Sequence, residues 1–391
     1  RAYQTALSTP TFVVEARRRS RAESAERGYA AICAMTAEVA LPHRALAFGL
    51  DFHPTERLLA AGLITGQIRV YSCADDGAAA ERRLGAKPHA DACRSVKFSP
   101  DGGALFSAGS DRSVQRRDLE TNRPVWKLRA AHVSAVNVCT PLGPHGVGTG
   151  DDEGAVRVWD VRQRGAVMRF DEHSDVVHDL HFELPRLQLA SCSSDGHLSV
   201  YDLRKGRLEA RSDELEEELL CLAPLKGGKK LLAGSDSGVL GVFSWGDFGD
   251  FSDRLTPAVL GSGEAIEALA PLSEHALLLA SADGVLRAAS LHPSRMLGEV
   301  GRHADPIEAL AVDAQGALAA TAAHDGTVRL WDVSEAALGR RAARNGGSGA
   351  ASAEAETEDE AEEAPPQGKR RKGGKGQGAI RLGQDFDFSD L

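Results

Sequence analysis

Residues 320–332 read ATAAHDGTVRLWD: small residues, an Asp-Gly turn, then an alternating stretch that closes on Trp-Asp. Strict alternation of apolar and polar residues marks a half-buried β-strand, and Asp-Gly between two such runs marks a tight hairpin. The phrase recurs as GTGDDEGAVRVWD at 148–160 and ASCSSDGHLSVYD at 190–202. Weaker copies complete a set of seven, with the last aromatic or its equivalent at Tyr71, Arg117, Trp159, Tyr201, Phe243, Ala289 and Trp331. The intervals are 46, 42, 42, 42, 46 and 42 residues.

A period of about 40 to 45 residues with four short strands per unit is the mark of an all-β fold, the WD-repeat β-propeller. Leucine-rich and ankyrin arrays repeat sooner, and helical repeats lack the two-residue alternation of VRVWD. Seven blades are expected from about residue 45 to 332. After Asp332 the chain continues as VSEAALGRRAARNGGSG, which supplies no fourth strand for the last blade. The alternating residues 37–41 are expected to supply it, closing the ring within a domain of 37–333. Closure removes long exposed strand edges. Residues 1–36 read as a flexible arm and 334–391 as a disordered tail.

Each well-formed repeat is expected to hold a buried hydrogen-bonded set running from the turn Asp through His and Ser or Thr to the aromatic residue. In blade seven the members are His303, Thr321, Asp325 and Trp331; in blade four, His173, Ser191, Asp195 and Tyr201. Blade three offers His132, Thr149 and Trp159, with Glu153 where Asp is expected. Blade two carries Arg117 at the aromatic position, and blades one, five and six are degenerate and must rest on apolar packing.

Charge narrows the function. Of the 391 residues, 46 are basic and 56 acidic, a net charge of −10. The first 44 residues hold 7 basic and 4 acidic, and residues 350–391 hold 6 and 10. The body between them is therefore 33 basic against 42 acidic, a net −9. Non-specific affinity for nucleic acid comes from Lys and Arg displacing counterions, so direct nucleic-acid binding by this body is disfavoured. No apolar run reaches the roughly 18 to 20 residues that span a bilayer, so no membrane role is expected. The cysteines at 33, 73, 93, 139, 192 and 221 form no Cys-x-x-Cys pair and no Asn-x-Ser/Thr sequon occurs, which suits a reducing compartment. Arg17, Arg18, Arg19 and Arg21 lie among Glu15, Glu23 and Glu26, too acidic a setting for a transit peptide.

No catalytic constellation is present: no Walker lysine loop, no G-x-S-x-G elbow, no H-E-x-x-H. The stretches GTGDDEG and GSDSG fall at inter-strand turns of the repeat and read as hairpin chemistry. His173, His178 and His181 do not read as a metal site, because residues three apart in a strand face opposite sides. Neither an enzyme nor a cofactor is expected. The tail has three parts: the acidic stretch ASAEAETEDEAEEA (351–364), a basic cluster of nuclear-import type (Lys369, Arg370, Arg371, Lys372 with Lys375), and a terminal stretch with Phe386, Phe388 and Leu391 between acids. Apolar anchors in such a segment suit a short docking peptide.

The stretches HADACRSVKFSPDG (89–102), WDVR (159–162), FSWGDFGDFSDR (243–254) and DGVLRAASLHPSRMLGEVGRH (283–303) together resemble the family of WD repeat-containing protein fifty-five, whose fungal members are called Jip five. The similarity runs from about residue 43 to 333, and the basic cluster and terminal FDFSDL are similar to that family's tail. The resemblance implies a nuclear and nucleolar scaffold, with some cytoplasmic presence allowed, that acts in ribosomal RNA synthesis or processing and in ribosome assembly. Its partners would be pre-ribosomal or nucleolar proteins, and the propeller is expected to be monomeric. The arginine-rich segment at 17–21 does not match the family. Trp159, Asp160 and Arg162 also fit the WDxR box of substrate receptors for cullin-four ubiquitin ligases, which dock on damaged-DNA-binding protein one. Asp202 and Arg204, in Tyr201-Asp202-Leu203-Arg204, form a weaker copy in the next blade. Both arginines are expected side by side on the face opposite the Asp-Gly turns.

Overall fold

A computed structural model describes residues 35–39, 45–74, 80–291 and 294–334. It is a seven-bladed β-propeller, each blade a four-stranded antiparallel sheet. Blade one shows the plan: β2 (Ala47–Phe52), β3 (Leu58–Leu63), β4 (Ile68–Cys73) and β5 (Ala80–Ala86) pair in chain order. Burial peaks at the second strand and falls outward from it. All of β3 is buried, whereas Glu81, Arg82 and Arg83 on β5 are exposed. The second strands of blades two, three and seven, Ala104–Gly109, Gly146–Asp151 and Leu318–Ala323, are likewise fully buried. A strand covered on both faces reads as a nearly continuous apolar run, and these runs are rich in Ala and Gly because blades converge there.

Blade seven is closed by β1 (Met35–Val39), which pairs antiparallel with Val328–Asp332 in the register Met35 to Trp331 and Val39 to Val328. The sequence reading put this strand at 37–41. The strand is observed two residues earlier, and 40 and 41 lie outside the described residues, as do the arm before Met35 and the tail after Ser334. Glu38 faces Arg329 across the pair at 3.6 Å.

Every innermost strand carries a register shift at its second residue: Phe48, Arg94, Asn137, His178, Leu220, Glu267 and Glu308. Such bulges bend a strand and re-aim one side chain. Three of them reach polar groups just beyond a second strand: Arg94 to Asp152 at 2.7 Å, His178 to Ser194 at 2.7 Å and Glu308 to His324 at 2.9 Å. Inner strands are also tied blade to blade. Asp51 accepts the Phe98 N–H at 2.7 Å, Asp179 accepts that of Leu222 at 2.9 Å, and the Ser95 hydroxyl accepts that of Cys139 at 3.1 Å. Close packing fixes one glycine: a Cβ on Gly301 would lie 2.1 Å from the Trp331 indole.

Candidate functional site

The fold positions its polar groups in two places. Inside, the residue after each second strand donates its N–H to the loop before the inner strand, as Ser110 does to Ala92 and Ser194 to Val176. That bond brings the His-bearing loop and the second turn together at one face. In blade seven the Trp331 indole donates to the Thr321 hydroxyl at 2.7 Å. His303 meets the same hydroxyl through Nε2 at 2.7 Å and Asp325 through Nδ1 at 3.0 Å. An indole N–H can only donate, so the Thr321 oxygen accepts from it and passes its own proton toward Nε2. His303 then carries its proton on Nδ1 and donates to the carboxylate. Burial pushes the His303 pKa down, which fits this neutral form. Burial acts upward on Asp325, but the His303 and Thr327 hydrogen bonds outweigh it and hold the carboxyl well below its usual range.

Blade three repeats the chain with Trp159 to Thr149 at 2.8 Å, Thr149 to His132 at 2.6 Å and His132 to Asp151 at 2.8 Å. This corrects the sequence reading at Glu153. That side chain is exposed, and the carboxylate comes from Asp151 at the end of the second strand. Asp151 also accepts the Glu153 and Ala155 amides, so it caps the turn as an Asp two residues later does in other blades. Blade four joins His173 to Asp195 at 3.0 Å and to Ser191 at 2.7 Å. Its aromatic end is loose: the Tyr201 hydroxyl is 3.4 Å from Ser191, while its ring stacks on Phe170 at 4.2 Å.

Two further sets escaped the sequence reading. In blade two His89 meets Asp111 and Ser107, each at 2.9 Å. The signal was legible, since His89 stands 22 residues before Asp111, the spacing of His303 and Asp325. Arg117, at the aromatic position, turns away to Asn122 at 3.1 Å. Blade six, read as purely apolar, ties Arg287 to Ser281 at 2.7 Å and to Asp283. An ion pair there replaces the histidine chain.

At the opposite face the WDxR arginine is already engaged. Arg162 forks onto Asp160, Nε to Oδ1 and Nη2 to Oδ2, each at 3.0 Å. Asp160 is buried and the Arg162 side chain is 42% exposed. Asp202 is held by Lys205, at 2.6 Å, rather than by Arg204, which is exposed. The two arginines therefore follow corresponding strands in neighbouring blades but stand in different surroundings. Lys369, Arg370, Arg371, Lys372, Lys375, Phe386, Phe388 and Leu391 lie outside the described residues.

Among the described residues no group of three His, Cys, Asp or Glu is arranged to hold a metal ion. His178 bonds Ser194, and His181 lies 3.5 Å from Glu183. The described cysteines are all buried, and burial pushes Cys93, Cys192 and Cys221 well above the usual thiol range. A protonated thiol is a poor nucleophile.

Buried polar groups that serve the architecture, on a disc with two open faces, define a WD-repeat propeller of the kind that is usually non-catalytic and mediates contacts between proteins. The family model described as WDR55 matches residues 39–336. WD repeat-containing protein 55 of Arabidopsis thaliana is 35% identical over 305 residues, 78% of this chain and 85% of the relative. The proteins of that name from Mus musculus and Homo sapiens are 33% and 32% identical over 290 residues, 74% of this chain and about three quarters of theirs. The chain belongs to the WD repeat-containing protein 55 family.

Proposed function

We propose that this chain is a non-catalytic scaffold of the nucleolus that acts in ribosomal RNA synthesis or processing and in ribosome assembly, by holding pre-ribosomal proteins against the propeller faces. Family membership across the whole propeller is the observation that carries the reading. The relays support it, because their histidines and carboxylates are buried in structural hydrogen bonds and leave rigid faces for partners. The basic cluster at 369–375 fits nuclear import. Depletion in cells, followed by pre-ribosomal RNA profiling and affinity purification from nuclear extract, tests it. Accumulated precursors and co-purified assembly factors are expected. Unchanged precursors with no such partners would refute the reading.

A second reading, a cullin-four ligase receptor that docks through Arg162 and Arg204, draws support from the partly exposed Arg162 and exposed Arg204 on neighbouring blades. Its weaker point is that the Asp160 fork already engages Arg162.

A further inference from the structure

Among the described residues, six cations gather on blades one and two of this acidic body. Two adjoining hollows of about 510 and 410 Å³ lie along the outer strands of blades one and two and share Lys87. Arg69, Arg82 and Arg83 line one; Lys127 and Arg129 line the other. None of these six cations forms an ion pair among the described residues; Lys127 donates only to the Pro88 carbonyl. The one carboxylate in the lining, Asp111, is already committed to His89 and Ser113. Glu81, the only acid of β5, is not part of the lining. β5 is also the edge of its sheet, and space beside its Gly85 is open. A strand edge with unsatisfied amides and carbonyls, flanked by cations, accepts an extended acidic segment.

The geometry points to the chain's own residues 354–362 as the occupant. Glu354, Glu356, Glu358, Glu360 and Glu362 alternate with period two. In an extended strand alternate residues stand about 6.6 Å apart on one side, so the five carboxylates would form a single row. Nineteen residues, 335–353, separate this tract from the last described residue, Ser334, in blade seven, which adjoins blade one. Ser334 follows its strand as Arg162 does, so the linker starts at the face opposite the His89 loop and must pass the rim. Its root-mean-square reach is about 24 Å and its extended length about 65 Å. Tethering sets the local tract concentration near the millimolar range, so a free anion must displace it.

Zero-length carbodiimide cross-linking of the full chain at micromolar concentration, read by mass spectrometry, tests this. Links from Lys87 and Lys127 to residues 354–363 are expected, at least fivefold more abundant than links from the exposed Lys229 of blade five. They should fall at least fivefold in 0.5 M salt and in the R82E/R83E variant, whose exposed substitutions leave the melting temperature within a degree or two. The lysines and the tract both remain reactive in that variant, so a loss reports docking and not chemistry. Tract links confined to Lys369, Lys372 and Lys375, or links spread evenly over surface lysines, would overturn the proposal. So would binding of a single-stranded RNA oligonucleotide by the full chain that R82E/R83E abolishes, because RNA would then be the occupant.

Discussion

Blades three and seven hold strand to turn with a complete indole–hydroxyl–imidazole–carboxylate chain; blade five does the same task with none of it. There Phe243 stands at the aromatic position and packs against Phe251 at 4.8 Å. The fit depends on Gly241, where a Cβ would lie 1.9 Å from the Phe251 ring. Trp245 of blade five donates instead to Gln188 of blade four at 2.7 Å. The two solutions fail differently. A polar chain in a buried site contributes only when every member is paired, since an orphaned donor or acceptor costs about 1 to 3 kcal/mol. Apolar packing is non-directional and tolerates exchange of shape at similar volume. Blade five lacks the whole chain and rests on packing, whereas blade two lacks only the aromatic member and keeps His89, Ser107 and Asp111 paired.

Acid should separate the two kinds of blade most strongly. Burial lowers His132 and His303 below the ordinary 6.5, so the unfolded chain takes these protons first and stability falls as pH drops below about 6.5. Asp151, Asp195 and Asp325 sit below the ordinary 3.8, with Asp195 at about 2. What they contribute is complete above about 3.8 and is lost as pH falls through their folded values. Asp51 and Asp179 act oppositely, since burial raises them and their cost grows as pH rises through the folded values. Urea midpoints should fall from pH 7.5 to pH 4, and fall less steeply in His303→Ala. An equal slope in that variant would remove the relay from the explanation.

At neutral pH, His303→Ala should cost about 2 to 3 kcal/mol in urea unfolding, because the buried Thr321 hydroxyl loses its acceptor and Asp325 loses one donor while keeping Thr327. Phe243→Leu in blade five should cost about 1 to 2 kcal/mol, as a packing change. Comparable losses would mean that polar and apolar blades are equally sensitive.

A finer comparison lies between blades three and four. Trp159→Phe removes a 2.8 Å bond and should cost about 1 to 2 kcal/mol, whereas Tyr201→Phe breaks only the 3.4 Å contact and should cost about 0.5 kcal/mol or less. Differential scanning calorimetry on the pair decides whether the loose aromatic end matters.

The smallest stability effect is expected from Arg204→Ala, within about 0.5 kcal/mol for an exposed side chain. Adding Arg162→Ala withdraws the fork from the buried Asp160 carboxylate and should cost about 1 kcal/mol more in a variant that still folds. Under the receptor reading, affinity for damaged-DNA-binding protein one should nevertheless drop about tenfold or more. Unchanged binding in the folded double variant, or none by the parent, removes that reading.

The blade count and the relays of blades four and seven were legible because they rest on local pattern: a repeat period, an alternating strand, a His at fixed distance before an Asp. Blade three defeats that logic at one residue. Asp151, Asp152 and Glu153 are consecutive acids, and only the strand's end point decides which one meets His132. The Arg287 ion pair was hidden for a related reason: Asp283 lies only four residues before it, and side-chain direction at the turn, which pattern does not give, decides that they meet.

By itself, then, the sequence determined seven four-stranded units, a ring closed by the chain's two ends, and an interior that is polar at chosen points. Tertiary structure decided which carboxylate serves blade three, that Arg162 folds back on Asp160, and that six cations from two blades line two adjoining hollows. These depend on side-chain direction, on where a strand ends and on which blades adjoin; blade-to-blade contacts join residues as far as 47 positions apart, as the Asp51 carboxylate and the Phe98 amide do. Periodicity fixes where a strand begins and which face it buries; it carries no information about the neighbour that a buried or edge side chain finally meets.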